Sequence, residues 1–208
     1  MVDNTAFGTR RREDLFDGLL GLLLAEGFAQ FGVAELASRL RCSKSTLYTL
    51  AGSKEQLVVK TVTHFFRTAT EQVEAAVADA DSARDRVVTY LVSVGDALAP
   101  ASTAFMSDLH AFEPTRELYE RNTAAAARRV QEFITAGVAS GEFRDVDAAF
   151  AADLAASMMS RIQRREVEAA TGLDDASAYR QLASILTAGI DAPTTAEATS
   201  GVSSAGGG

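Results

Sequence analysis

Cysteine, histidine and proline are scarce in this chain, and each scarcity closes off a class of protein. One cysteine, Cys42, among 208 residues excludes an internal disulfide framework and suits a reducing cytosol, so a cytoplasmic protein is expected. The two histidines, His64 and His110, lie far apart in the sequence and share no ligand spacing with Cys42. No metal and no cofactor is therefore expected. With only 3 prolines, few β-branched runs and many Ala-rich segments, the chain reads as all-α. No basic-then-apolar leader opens it, and no apolar run reaches membrane-spanning length. Leu19 to Ala25 is strongly apolar but short and flanked by charge, which marks a core helix rather than a membrane contact.

Catalytic signatures are missing too. There is no G-x-S-x-G elbow, no phosphate-cradling glycine loop, no dinucleotide fingerprint and no H-E-x-x-H. The carboxylates are scattered as on solvated helix faces, so no catalytic residue is assigned and an enzyme is not expected.

Charge is present but unevenly spread. The net charge is −8. Residues 1–60 hold 8 basic and 7 acidic residues, a net of +1, and the remainder holds 12 and 21, a net of −9. Such a head can approach DNA while the acidic body avoids it.

The informative stretch runs from Val33 to Lys60. Val33, Leu36, Ala37 and Leu40 share one helical face, Arg41-Cys42-Ser43 breaks it, and Ser43 can cap a second short helix from Lys44. Leu47 and Leu50 would anchor that helix inward, leaving a polar outer face able to enter a major groove. Ser53-Lys54-Glu55-Gln56 is a capping box opening a longer helix. From Ala37 to Lys60, Arg39, Arg41, Lys44, Lys54 and Lys60 against Glu55 give +4, a local patch suited to phosphate. Lys44, Ser45, Thr46 and Thr49 are the candidates for base edges, and Lys54 with its helix-start N–H groups for a phosphate. Arg10-Arg11-Arg12 would open the first helix, either as an arm towards DNA or as a solvated start softened by Glu13 and Asp14.

Leu15-Phe16, Leu22-Leu23, Gly27-Phe28, Val33, Leu36-Ala37, Ser43-Lys44, Thr46-Leu47-Tyr48 and Ser53-Lys54-Glu55-Gln56-Leu57 together resemble the TetR-type transcriptional regulators. The likeness covers the first quarter to third of the chain. Three places depart from the family pattern: Phe31-Gly32 stands where Thr or Ser usually caps, Arg41-Cys42 replaces Gly-Val in the turn, and Leu50-Ala51 replaces an aromatic pair. The resemblance implies that Ser43 and Tyr48 hydrogen-bond phosphate. Cys42 would pack inward as a small hydrophobe rather than act as a redox sensor.

Beyond the head, helical patterns follow at Ser53–Ala80, from Ser82 to Pro100, at Thr103–Ala111, from Glu113-Pro114 to Gly141, from Asp147 to about Ala170, and from Asp174 or Asp175 to Ile190, about nine in all. The expected organisation is a three-helix DNA-binding head (1–56), a ligand-binding and dimerisation bundle (57–191) and a Thr/Ala/Ser/Gly tail (192–208). By the resemblance, a pocket lined by Phe66, Tyr90, Phe105, Met106, His110, Phe112 and Phe133 would take a hydrophobic small molecule. The last two helices would pair with a second copy through Leu154, Met158, Ile162, Leu182, Ile185 and Leu186. The function implied is a homodimeric repressor released by its ligand from a palindromic operator in double-stranded DNA. The alternative is a dimeric helical protein that has lost DNA recognition and sequesters a ligand or partner.

Overall fold

The computed structural model describes the backbone of residues 4–192 and side chains from Arg12 onward. The tail beyond Ala192 and the side chains of Arg10 and Arg11 lie outside the described residues. Among the described residues ten helices follow in order: α1 (Asn4–Glu26), α2 (Val33–Arg39), α3 (Lys44–Tyr48), α4 (Lys54–Ala78), α5 (Ala83–Leu98), α6 (Thr103–Ala111), α7 (Glu113–Ser140), α8 (Ala148–Gln163), α9 (Glu166–Thr171) and α10 (Asp175–Ile190). Among the described residues there is no strand beyond a single antiparallel bridge between Phe143 and Asp191. None of the described helices alone is long and apolar enough to cross a membrane.

The boundaries follow from capping chemistry. Ser43, Ser53, Ser82, Ser102, Asp147 and Asp174 each sit in extended backbone and accept from the N–H three residues on. Pro114 occupies the first turn of α7, where a missing N–H costs nothing. Gly27 and Gly141 end α1 and α7 in the left-handed conformation.

Two differences from the expected pattern have physical causes. α1 begins at Asn4 rather than Arg10, so the three arginines lie past the first turn, where the macrodipole no longer opposes them. The helix expected from 148 to about 170 is two helices. Arg165 adopts φ 60 and turns the chain after Gln163. Its guanidinium bridges Glu168 at 3.5 Å and Asp175 at 3.2 Å, while Arg164 holds Glu166 at 2.7 Å. These ion pairs offset a left-handed conformation that costs a non-glycine residue about 1–2 kcal/mol.

The interior forms two clusters. One joins α1 to α4 with α6 and the start of α7, and includes Leu19, Leu23, Leu36, Leu47, Val62, Phe105, Leu109 and Tyr119. The other joins the far end of α4 with α5, α7, α8 and α10 around Val87, Leu91, Val130, Ile134, Met159 and Tyr179. The core therefore does not divide at residue 56: the first half of α4 and all of α6 pack with the head. Gly137 marks the closest approach in the body, since a Cβ there would run into the Phe143 ring.

Candidate nucleic-acid interface and effector cavity

The turn between α2 and α3 is built without the expected glycine. Arg41 takes φ 52, its N–H donates to Ser38 O at 3.1 Å, and the Cys42 N–H donates to Ala37 O at 2.9 Å, a Schellman closure with arginine at the left-handed position. Gly32 starts α2 without any side-chain cap. Cys42 is half-buried and packs against the head core. Leu50 and Ala51, where an aromatic pair was expected from the resemblance, are both buried.

α3 is fixed from within by hydroxyls. Ser43 Oγ accepts from the Thr46 N–H at 3.1 Å and lies 2.7 Å from both Ser45 Oγ and Thr46 Oγ1, and the Thr49 hydroxyl donates to Thr46 O at 2.7 Å. Inward, Leu47 is 1 % exposed; outward, Tyr48 is 49 % exposed. Ser43, Lys44, Ser45, Tyr48 and Thr49 are exposed and Thr46 half-buried, so the six candidates run from the N-cap to the C-cap of α3 while Leu47 turns inward.

Several cations of the expected basic patch are occupied inside the head. Arg39 pairs with Glu26 and lies over the Phe31 ring. Lys60 Nζ donates to Leu50 O at 2.9 Å, Lys54 Nζ to Ala29 O at 3.2 Å and Arg12 Nη2 to Thr49 O at 2.8 Å. Arg12 thus closes the C-terminal end of α3 instead of reaching outward. Lys44 and Arg41 make no ion pair or side-chain hydrogen bond among the described residues. The capping box is also modified: Gln56 N–H donates to Ser53 Oγ at 3.1 Å, but Gln56 Oε1 accepts from Gly52 rather than Ser53.

α6 straps the head to the body. The Ser102 N–H donates to Leu24 O at 2.8 Å. Near the other end, Asp108 Oδ2 accepts from the N–H groups of Phe28 at 2.6 Å and Ala29 at 2.8 Å. Those two donors belong to the loop that leads into α2. No feature of the sequence pointed to Asp108, because its partners are backbone groups about 80 residues away.

A cavity of about 190 Å³ opens between α4, α5, α7 and α8. Phe66, Val73, Val94 and Met159 supply its apolar wall; Glu74 and Arg129 stand in the lining, bonded to each other. Gln163 is a buried polar wall residue that accepts from the Tyr119 hydroxyl and donates to the Tyr179 hydroxyl at 2.8 Å. Of the seven expected pocket residues, Phe66 and Tyr90 line this cavity. Phe105 is fully buried among Phe28 and Phe65, and Phe133 packs behind Tyr90 and under Arg129. Met106 and His110 face a separate recess, and Phe112 lies against the Phe28 loop. Tyr119 and Gln163 were missed. Both continue buried stripes, at i+4 from Thr115 and Met159, and a polar residue in such a stripe was the available signal.

Residues 15–61 match the family described as bacterial regulatory proteins, tetR family. That match falls on the head, from within α1 to the first part of α4. The whole fold agrees with solved transcriptional regulators at low identity. A transcriptional regulator from Saccharomonospora viridis, crystallised with choline, superposes with TM-score 0.74 at 17% identity, over 89% of this chain and 100% of that one. A TetR-family regulator of Thermus thermophilus gives 0.66 at 17% over 84% and 97%. A ketosteroid transcriptional regulator of Mycobacterium tuberculosis gives 0.63 at 16% over 88% and 96%. No curated protein matches the chain in sequence.

The six expected interface residues divide. Ile162 is 1 % exposed and Leu186 6 %, so both belong to the subunit's own core and have nothing to offer a partner. Leu154 is 51 % exposed and Ile185 69 %, with Met158 and Leu182 half-buried beside them. Phe150, at 71 %, extends the same apolar face and was missed. Among the described residues no cluster of His, Cys, Asp and Glu could hold a metal ion.

Proposed function

We propose that this chain is a cytoplasmic, homodimeric TetR-type regulator, most simply a repressor. It would release a roughly palindromic operator when a small molecule fills the α4–α5–α7–α8 cavity. The observation that carries the reading is the α6 strap, which ties a body with a cavity to the loop that aims α2 and α3. α3 enters a major groove. Ser43 and Tyr48 contact phosphate, and Lys44, Ser45, Thr46 and Thr49 reach for base edges. A second subunit covers Phe150, Leu154 and Ile185, and the two heads meet half-sites about 34 Å apart or a small multiple of it. Ligand shifts α4 and α6 together, and a coupling of about 1–3 kcal/mol loosens DNA binding by one to two orders of magnitude. The chemistry is binding, with no catalytic step.

The test is fluorescence anisotropy against DNA flanking the coding region, over a salt series, beside a scrambled duplex. Preference for the native duplex supports the reading. Lys54→Ala should flatten the salt slope by about one unit if Lys54 leaves Ala29 O for a phosphate. The second reading, a ligand-sequestering dimer without DNA recognition, draws support from the internal engagement of Arg39, Lys54 and Lys60. Weak and equal binding to both duplexes, together with no enriched sequence in a random-duplex selection, would favour it.

A further inference from the structure

The cavity's charges cancel in sum, and three of the four, Glu74, Arg129 and Glu132, hold one another. Arg129 grips Glu74 through Nε at 3.0 Å and Nη2 at 2.8 Å, and Glu132 through Nη1 at 2.9 Å. With Arg128 also in the lining, two carboxylates face two guanidiniums. A cationic ligand would meet Arg128 and Arg129, and an anionic one Glu74 and Glu132. A cation finds both carboxylates already held by Arg129, and an anion finds outside that cluster only Arg128, which is exposed and screened by solvent.

Among the buried, described residues of the wall, the Tyr90 hydroxyl is the polar side-chain group without a bonded partner. Tyr90 lines the cavity with its side chain only 6 % exposed, and its hydroxyl bonds no described residue. Among the described residues the one side-chain polar atom both fully enclosed and unpartnered is His110 Nε2. The Tyr90 hydroxyl therefore keeps an open approach, and the cavity provides it. A ligand that fills the cavity cuts that hydroxyl off from water, so one that supplies an acceptor binds better than one that leaves the donor unbonded.

We propose that the effector is a small neutral molecule with an oxygen acceptor, bound so that the Tyr90 hydroxyl donates to that oxygen while its apolar part lies against Phe66, Val73, Val94 and Met159. This rests on reading the cavity as the effector site. Burial pushes the Tyr90 ionisation up to about 12, so the donor proton is retained at ordinary pH. At about 190 Å³ the cavity falls below the range of about 300–1,000 Å³ typical of drug-sized sites, which sets the ligand's size class.

Three probes of one shape isolate charge: choline, its neutral carbon isostere in which a quaternary carbon replaces the nitrogen, and the carboxylate with the same branched chain. Calorimetric titration of the full chain should show the neutral alcohol binding at least about tenfold more tightly than either ion, a difference of about 1.4 kcal/mol. Tyr90→Phe, checked for retained helicity by circular dichroism, should weaken the alcohol by about three- to tenfold. Equal or tighter binding of choline or the carboxylate overturns the proposal. So does a Tyr90→Phe protein with unchanged affinity, or a failure of all three probes at millimolar concentration. Operator binding without any probe reports on the regulator reading alone. A chain that binds its operator but no probe loses this inference and keeps that reading.

Discussion

Removing the Asp108 carboxylate should uncouple the head from the body before it unfolds either. The carboxylate accepts two backbone N–H groups at 2.6 and 2.8 Å, and hydrogen bonds to a charged acceptor contribute about 1.5–3 kcal/mol each. Ala29 is exposed, so water replaces that bond at little cost; the Phe28 bond is part-buried, and its loss leaves a donor poorly hydrated. For Asp108→Ala the expected loss is therefore about 1.5–3 kcal/mol, the scale of one bond rather than two. Asp108→Asn keeps an acceptor oxygen without the charge and should lose about half as much. Urea melts give the total, and amide hydrogen exchange locates it. Exchange at Phe28 and Ala29 should accelerate by about tenfold for each 1.4 kcal/mol lost, while the α5–α10 core stays protected. Operator affinity should fall several-fold, since the freed loop no longer fixes α2 and α3. Unchanged protection at Phe28 and Ala29 in a folded Asp108→Ala protein would refute the strap.

Arg41→Gly should stabilise the head by about 0.5–1 kcal/mol, because the left-handed turn then carries no side-chain penalty; a chemical melt checks this. On the proposed pairing, Ile185→Glu should sediment as a monomer in analytical ultracentrifugation where the unaltered chain sediments as a dimer, and a dimer that persists in the variant would place the interface elsewhere. Raised ionisation of buried Tyr90 means that the folded state holds its proton where the unfolded chain releases it. The stability this contributes is complete below the ordinary value of 10 and fades as pH rises towards about 12. Melting temperature should fall across that window, less steeply in Tyr90→Phe, with Tyr119 and Tyr179, also raised by burial, accounting for the remainder.

Helix order and most boundaries were legible because they are set locally. Serine or aspartate caps, Pro114, Gly27 and Gly141 act over three or four residues, which a sequence displays directly. The outward polar face of α3 was legible for the same reason. Long-range geometry was not. Whether Phe105 or Tyr119 faces a cavity depends on which neighbouring helix covers each stripe, and both are equally aromatic in the sequence. Ile162 and Ile185 have the same side chain, yet one is buried in its own subunit and the other is bare. The break at Arg165 was hidden because Arg-Arg-Glu is an ordinary helix-forming run, and the acids that hold its left-handed turn are Glu168 and Asp175. Asp108 was invisible for a related reason: a helical carboxylate bonded to distant backbone looks like a solvated one.

The α6 strap has a consequence for how such a chain can diversify. Its hydrogen bonds to the head use the Ser102 backbone and the Asp108 carboxylate, and neither residue lines the α4–α5–α7–α8 cavity. The cavity wall can therefore be rebuilt for another ligand while the joint that moves the reading helix is inherited unchanged. Sensing and response are separable traits in this architecture, so new specificities can arise by substitution at residues such as Tyr90, Tyr119 and Gln163 without a new transmission route.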